Sequence, residues 1–513
     1  MRPTVPASSS LNSARRAADL ADLGAHPRVD VLVVGGGVTG AGVALDAASR
    51  GLSTVLVERD DLAFGTSRWS SKLVHGGLRY LARGQVGIAY ESARERDVLM
   101  RVTAPHLVRP LPMVVPVHRG AGLVKPLLVR GGMGMGDALR VLAGTPRGVL
   151  PGPRLLTARQ TLRLLPGVRP EGLRGGILSF DGQLVDDARL VVALARTAAR
   201  EGARVITRCS AETVTADGVW LRDEVTGQTL ALRPRAVVNA TGVHAGELDP
   251  SVRLSPSRGS HLVLDGAALG HPRAALTVPV LGSVNRFVFA LPQADGRVFA
   301  GLTDEPVDGP APRVPEVPDT DVDFLLAQLN QALRTRIGRE HVLGAFAGLR
   351  PLLHADGASS DLSREHSVTV APTGAVTVVG GKLTTYRAMA EEAVDTAVRA
   401  RGLTAGPCRT RTLPLVGAAS PEELDALDVP RRLVRRYGTE AADVVAEAGG
   451  DPALLAPVAC GVTGAELRFG VRHEGALDVD DLLDRRTRIG LVPGDRAAAD
   501  AAARAALAAL ATG

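Results

Sequence analysis

The sequence predicts an α/β protein in which a dinucleotide-binding unit is interleaved with an antiparallel sheet and followed by a helical domain. Three observations carry that prediction. The run Val31-Leu-Val-Val-Gly35-Gly-Gly37-Val-Thr-Gly40-Ala-Gly42 delivers four apolar β-formers into a glycine-rich turn that opens an alanine-rich helix reaching Arg50. A second strand, Thr54-Val-Leu-Val57, ends in Glu58. Farther on, a meander of short strands ends in Ala236-Val-Val-Asn-Ala-Thr-Gly242 and gives way to alternating strands, a return strand and capped helices.

Each element has a local cause. Residues 1–28 form an N-terminal extension with a short helix over 14–23; Asp19 and Asp22 argue against reading its Arg15 and Arg16 as a transit peptide, and no apolar stretch marks a signal peptide. In the glycine loop, Gly35 permits the tight turn, Gly37 lets the backbone approach a pyrophosphate, and Gly40 lets the helix pack on the strand, its first amides facing the anion. Glu58 stands where a carboxylate accepts both ribose hydroxyls of an adenosine and repels a 2′-phosphate, so FAD or NAD is expected and not NADP. Gly131-Gly-Met-Gly-Met-Gly136 lacks a preceding strand and a following acidic strand end; it reads as a turn or helix start, so no second nucleotide is expected and electrons must leave to something external.

From 176 to 208 the pattern gives an approach loop, a helix opened by Asp186 and Asp187, and a strand over 204–207. The meander follows at 211–215, 218–222 and 229–232, ahead of the strand that ends at Gly242. An insert over 255–344 carries strands at 260–264, 286–290 and 298–301 and a helix over 321–336, a composition suited to an antiparallel substrate-binding sheet. A strand at 375–379, a turn at 380–385 and a helix over 386–399 complete the nucleotide unit. The remainder reads as helical, with capping boxes at Ser420/Glu423 and Thr463/Glu466 and a final helix over 496–511. The nucleotide domain thus occupies 29–400 in three pieces, about 29–110, 170–254 and 345–400, interleaved with a substrate domain at about 111–169 and 255–344 and followed by a helical domain at 401–513.

Composition narrows the function. No apolar run is long enough to span a bilayer. A net charge of +6, with acidic residues interspersed, is too dilute to define a nucleic-acid surface. A basic patch against anionic lipid headgroups stays open, each well-placed Arg contributing about 1 kcal/mol there. Cys209, Cys408 and Cys460 are far apart and form no C-x-x-C, which suits a reducing cytoplasm and removes a thiol relay as the exit for electrons. Of 60 basic residues only Lys72, Lys125 and Lys382 are lysines, which marks these positions as ones where a compact ammonium on a flexible stem is needed.

The segment Gly65-Thr66-Ser67-Arg-Trp-Ser-Ser71-Lys72-Leu-Val-His75-Gly76-Gly-Leu-Arg79-Tyr80-Leu alternates hydroxyls, glycines and cations, short donors that can follow a pyrophosphate and reach an isoalloxazine ring. Together with the glycine loop, Gly259-Ser-His261, Gly348-Leu-Arg350-Pro-Leu and Gly380-Gly381-Lys382-Leu383-Thr384-Thr-Tyr-Arg, it closely resembles the FAD-dependent glycerol-3-phosphate dehydrogenase family over about 29–400. The likeness continues more loosely through Ala465-Glu-Leu-Arg-Phe-Gly-Val-Arg-His-Glu474 and Asp484-Arg-Arg-Thr-Arg488.

The resemblance implies a Rossmann-like FAD-binding domain of the two-dinucleotide, D-amino-acid-oxidase type. It implies FAD held by Gly35, Gly37, Gly40, Glu58, Thr66, Ser67, Ser71, Lys72, Gly76, Gly242, Gly381, Leu383 and Thr384. The implied reaction is oxidation of sn-glycerol 3-phosphate to dihydroxyacetone phosphate by hydride transfer to flavin N5, with electrons passed to membrane quinone from a cytoplasmic protein in peripheral contact with the inner face of the cell membrane. Holding the substrate requires phosphate ligands, and the resemblance assigns Arg79, Tyr80 and Lys382 to them and Arg350 to the substrate oxygens near the flavin. A planar guanidinium beside a developing alkoxide or carbonyl contributes charge-assisted bonds of about 1.5–3 kcal/mol. His75 and His261 are the alternatives for proton acceptor, since imidazole titrates near working pH. Lys382 and the helix start at Thr384 and Thr385 also suit the flavin N1–C2 region, where a cation or helix N-terminus stabilises the reduced form. No metal and no nucleic-acid partner is expected, and a homodimer is compatible with the sequence. The competing readings are a glycerol-3-phosphate oxidase that makes hydrogen peroxide, an amine or amino-acid oxidase on the same scaffold, disfavoured because Arg79, Lys382 and Arg350 suit a dianion, and a flavin-dependent RNA-modifying or RNA-binding protein that uses the basic balance.

Overall fold

The computed structural model describes residues 5–77, 85–119, 131, 134, 136–214, 218–280, 286–354 and 365–511. Its first sheet has eight strands, of which five are parallel in the order Val376–Gly380, Thr229–Asn239, Arg28–Val34, Thr54–Val57 and Arg204–Ile206. Thr54–Val57 is buried along its length, as a strand covered on both faces must be. On one face lies the helix Val38–Ser49, almost wholly buried between the helices Asp187–Arg200 and Tyr386–Arg401. Small residues permit that approach, since a Cβ on Gly42 would meet the Tyr386 ring at 2.9 Å. On the other face the helix Ser13–Ala25, started by the Asn12 side chain accepting the Arg15 N–H at 2.8 Å, brings Leu23 against Leu32 and Val55.

The second sheet has ten strands and is antiparallel except where Ala275–Pro279 runs parallel to Val108–His118. It follows the order Glu305–Pro306, Ser257–Asp265, Arg297–Gly301, Phe287–Pro292, Ala275–Pro279, Val108–His118, Leu173–Leu184 and Leu73–Val74, with Val342–Arg350 also paired to Ser257–Asp265 and Arg154–Thr157 to Leu173–Leu184. The helix Asp319–Asn330 backs it through Leu325, Leu326 and Leu329.

Four expectations change. The stretch read as an approach loop from 176 belongs to Leu173–Leu184, twelve residues paired with Val108–His118; Gly175, Gly176 and Gly182 interrupt the side-chain alternation that would have revealed it. Residues 229–232 and 236–239 form one strand, Thr229–Asn239, whose first half pairs antiparallel with Val219–Asp223 and whose second half pairs parallel with Arg28–Val34. The helix expected over 321–336 ends at Asn330, whose side-chain amide bonds both the C=O and N–H of Ile337, at 2.9 and 2.8 Å, and so turns the chain. The C-terminal segment is irregular over 402–420, and its helices, which begin at Pro421–Asp425, are interrupted by the hairpin Pro457–Ala459/Val462–Thr463. Its capping boxes at Ser420/Glu423 and Thr463/Glu466 are formed. Of the Gly131–Gly136 run, positions 132, 133 and 135 lie outside the described residues.

The C-terminal helices dock on the first sheet's helix layer through buried ion pairs. Arg189 grips Glu474 with bonds of 2.6 and 2.8 Å, and Arg196 grips Glu440 with bonds of 2.6 and 2.8 Å. Arg486 makes two bonds of 2.8 Å to Asp61, which also accepts from Arg485 at 2.6 Å. Among the described residues no helix is long and apolar enough to cross a membrane.

Candidate active site

A cavity of about 1400 Å³ is lined from both sheets. At one part of its wall the strand Arg28–Val34 delivers the glycine loop. Gly35 adopts φ +111°, in the region open to glycine, and a Cβ there would strike the Ala240 carbonyl oxygen at 2.6 Å. A Cβ on Gly40 would lie far closer to the Gly35 carbonyl oxygen than the 3.0 Å that real Cβ contacts respect. The turn and the helix start thus lock together through two missing side chains. Gly37 and Val38 line the cavity at the helix start, and the Val38 N–H is taken by the Ser67 hydroxyl at 2.8 Å. Thr66 donates to the Leu349 carbonyl at 2.6 Å, tying this loop to the strand Val342–Arg350 of the second sheet.

Glu58 accepts from the Gly36 N–H at 2.6 Å and the Asp60 N–H at 2.8 Å. Burial pushes its carboxyl up to about 7 despite those two bonds, with Asp60 and Asp61 adding like charge. Gly242, Gly381, Leu383 and Thr384 also line the cavity. A glycine cradle at a helix N-terminus, with a carboxylate one strand away, fits the pyrophosphate and ribose of a dinucleotide.

The other set of cavity residues is cationic and imidazole-bearing. Arg350, at the end of Val342–Arg350, donates to Asp304 at 3.0 Å, to Ser257 Oγ at 3.2 Å and to the Thr303 carbonyl at 3.1 Å, so its fork is fixed in plane. Lys382 precedes the helix turn Leu383–Thr385, and its Nζ donates to Ser92 Oγ at 2.7 Å. His75 has a half-exposed ring whose Nδ1 lies 3.2 Å from Asp181 Oδ2. Asp181 in turn accepts from Arg96 at 2.6 Å and from the Gly76 N–H at 3.0 Å. Burial opposes ionisation of Asp181, yet the Arg96 charge and the His75 bond outweigh it and hold the carboxyl at about 2.

Two of the expected site residues are enclosed. His261 lines the cavity but is 2% exposed, stacked on Phe346 at 4.8 Å with its Nε2 on Ser71 Oγ at 2.8 Å. Burial, with the charges of Lys72 and Arg350, pulls its pKa down to about 3, so the ring stays neutral and is a poor proton acceptor at neutral pH. Lys72 is buried behind the wall, not along it. Its ammonium donates to Asp187 Oδ2 at 2.9 Å and to the Arg68 and Ser70 carbonyls at 3.0 Å each, and stands 4.9 Å from the centre of the Phe346 ring. Burial and the Arg488 charge lower it to about 8, against the pull of Asp187. The same carboxylate takes the Ser70 N–H and hydroxyl at 2.9 and 2.8 Å and Arg488 at 3.0 Å. Lys72 is therefore paired with Asp187 beneath the cavity-lining Ser70. Arg79 and Tyr80 lie outside the described residues. Asp181, Arg96 and Ser92 escaped the sequence reading; the strand Leu173–Leu184 brings Asp181 to the cavity wall, and the helix Val86–Val98 brings Arg96 to it and Ser92 to Lys382.

The fold and this cavity are those of FAD-dependent oxidoreductases. A family model described as FAD dependent oxidoreductase matches residues 30–396, and one described as the C-terminal domain of alpha-glycerophosphate oxidase matches residues 408–512. Glycerol-3-phosphate dehydrogenase 1 of Mycobacterium tuberculosis is 55% identical over 502 residues, covering 96% of this chain and 97% of that protein. The mitochondrial glycerol-3-phosphate dehydrogenase of Macaca fascicularis is 34% identical over 526 residues, covering 93% of this chain and 70% of that protein. The X-ray structure of glycerol-3-phosphate dehydrogenase from Bacillus halodurans complexed with FAD superposes with a TM-score of 0.74 at 27% identity, covering 98% of this chain and 97% of that one. The chain belongs to the FAD-dependent glycerol-3-phosphate dehydrogenase family, and its cofactor is FAD.

Proposed function

We propose that the protein oxidises sn-glycerol 3-phosphate to dihydroxyacetone phosphate and passes the electrons to membrane quinone. One observation carries the reading: a single cavity joins the glycine cradle and Glu58 to Arg350, Lys382 and His75, so a dinucleotide and a phosphorylated alcohol meet in one chamber. FAD supplies the two-electron acceptor for the hydride from C2. The rest is the chain's work. Lys382, with Arg79 and Tyr80 of the neighbouring motif, binds the phosphate as cations and donor. Arg350, immobilised by Asp304 and the Thr303 carbonyl, meets the substrate oxygens and stabilises charge developing there. His75 takes the hydroxyl proton at Nε2, because its Nδ1 is committed to Asp181 while His261 is held neutral by burial. Peripheral membrane contact fits the exposed Val141 and Leu142, 61% and 67% accessible, on a chain of net positive charge.

Anaerobic addition of glycerol 3-phosphate to the purified yellow protein tests the reading. The flavin absorbance is expected to bleach within seconds, and persistence of the colour refutes both the dehydrogenase and the oxidase reading. Quinone reduction against peroxide yield then identifies the acceptor; peroxide in stoichiometric amount with no quinone reduction overturns the quinone assignment.

Glu58 gives this reading a pH signature. With its carboxyl raised to about 7, the ionised form that accepts ribose hydroxyls is drawn down as pH falls below 7. FAD affinity is therefore expected to weaken from pH 8 to pH 6, by up to about tenfold per unit below the raised value. Glu58→Gln should bind FAD more weakly at pH 8 and lose that slope. Equilibrium titration of the apoprotein with FAD by flavin fluorescence measures both.

A further inference from the structure

We propose that Asp181 is the positioning residue of the proton acceptor, fixing His75 in the tautomer that presents a lone pair at Nε2, and that Arg96 keeps Asp181 competent for this. The inference rests on the assignment of His75 made above. A carboxylate can only accept, so its contact with Nδ1 requires the proton on Nδ1 and leaves Nε2 as the basic nitrogen. The remaining donors to Asp181 all favour its charged form: the Arg96 guanidinium at 2.6 Å, the Gly76 N–H at 3.0 Å and the Gly182 N–H at 3.1 Å. Among the described residues, His75 is paired with Asp181 from the strand Leu173–Leu184, and Asp181 in turn binds Arg96 from the helix Val86–Val98.

The backbone is cut to this arrangement. A Cβ on Gly76 would run into the Arg96 guanidinium, so the residue after His75 has to be glycine for Arg96 to lie beneath the loop. The helix that supplies Arg96 also supplies Ser92 to Lys382, at 2.7 Å, and Glu95 to Arg387, with two bonds of 2.7 Å. Residues 92, 95 and 96 share one helical face. One face of one helix therefore sets the acceptor and the phosphate-binding lysine in register with each other.

Stopped-flow reduction of the holoenzyme by glycerol 3-phosphate, anaerobically from pH 5 to 9, tests this with Asp181→Asn. An amide presents a donor or a neutral acceptor to Nδ1 and releases the tautomer. The flavin-reduction rate at pH 7.5 is expected to fall about a hundredfold, the low end of general-base contributions, with KM changed less than about threefold and the midpoint of the pH profile displaced. A rate within threefold of the unsubstituted protein, or a loss expressed only in KM, overturns the proposal. Should Asp181→Asn fail to retain FAD, Asp181→Glu is read instead: it keeps the charge and shifts it by one methylene, and a rate loss of tenfold or more at unchanged KM supports the proposal, while an unaltered rate overturns it. Bleaching of the unsubstituted protein in the same series separates the two readings, since its failure removes the substrate assignment and a normal bleach beside an unaffected Asp181→Asn removes only this one.

Discussion

Gly40→Ala is expected to strip the protein of FAD. The added methyl would be driven into the Gly35 carbonyl oxygen, a backbone atom that can move only if the helix Val38–Ser49 shifts away from its strand. Gly35 cannot give way, because any side-chain-sized displacement presses it on the Ala240 carbonyl, 2.6 Å from where its own Cβ would stand. Overpacking of this kind costs about 3 kcal/mol, and at 1.4 kcal/mol per decade that is about a hundredfold in FAD affinity if the strain is relieved by opening the cradle. Gly494→Ala, in the helix Pro493–Ala511 with nothing within 4 Å of its Cβ position, is the matched control and should bind FAD normally. Isothermal titration of the two apoproteins with FAD decides. Equal affinity in both would mean that the loop and helix are not held in the locked geometry.

That glycine loop was legible in the sequence because its cause is local. Four apolar residues, a turn and a helix start lie within twelve positions, and the steric demand on Gly40 comes from Gly35, five residues earlier. The capping boxes at Ser420 and Thr463 were legible for the same reason. Leu173–Leu184 was not, since its glycines serve close strand pairing and thereby erase the alternation by which a strand is recognised. With the strand went Asp181, whose importance comes from partners 85 and 106 residues away in the chain.

Burial separates residues that the motifs alone leave alike. The motif around Lys72 lines the cavity, and Lys72 itself is enclosed beneath it. What the position demands is a compact cation that fits under Phe346 and reaches Asp187 and two carbonyls at once. His75 and His261 looked equivalent as residues in family motifs. They part company only when one is seen half-exposed beside a carboxylate and the other enclosed against an aromatic ring between two cations. Arg485, Arg486 and Arg488 were noted only as a loose C-terminal likeness. In the fold they reach Asp61, three residues after Glu58, and Asp187, which also accepts from Ser70.

Asp61→Ala is accordingly expected to loosen the C-terminal domain from the nucleotide-binding sheet. Asp61 is fully buried and receives Arg486 through both oxygens and Arg485 through one. Burial opposes its ionisation, and the two guanidinium groups overcome that and hold the carboxyl far below its usual range. Its removal leaves two arginines in a water-poor interface, where breaking one side of a buried pair costs about 3–5 kcal/mol. Calorimetry should show an earlier unfolding transition, and limited proteolysis should cut ahead of residue 408, where the matched C-terminal domain begins. An unchanged thermogram would mean that Arg485 and Arg486 find full compensation in Asp481 and the Glu474 carbonyl, to which they bond at 2.5 and 2.9 Å. The same pair sets an acid limit. A carboxyl whose folded value is depressed contributes its stability above the ordinary carboxylate range, about pH 4, and loses it as pH falls from there toward the depressed value. Asp187 and Glu474 are depressed as well, by Lys72 with Arg488 and by Arg189 respectively, both against burial. Asp481 runs the other way: burial and the nearby Asp61 charge raise it, so its contribution is greatest in acid and fades as pH rises. Three depressed carboxylates against one raised one give an interface that fails from the acid side. In Asp61→Ala the acid-unfolding midpoint should shift to higher pH, with FAD released in the same step because Asp61 stands three residues beyond Glu58 in the segment that supports the cofactor loop.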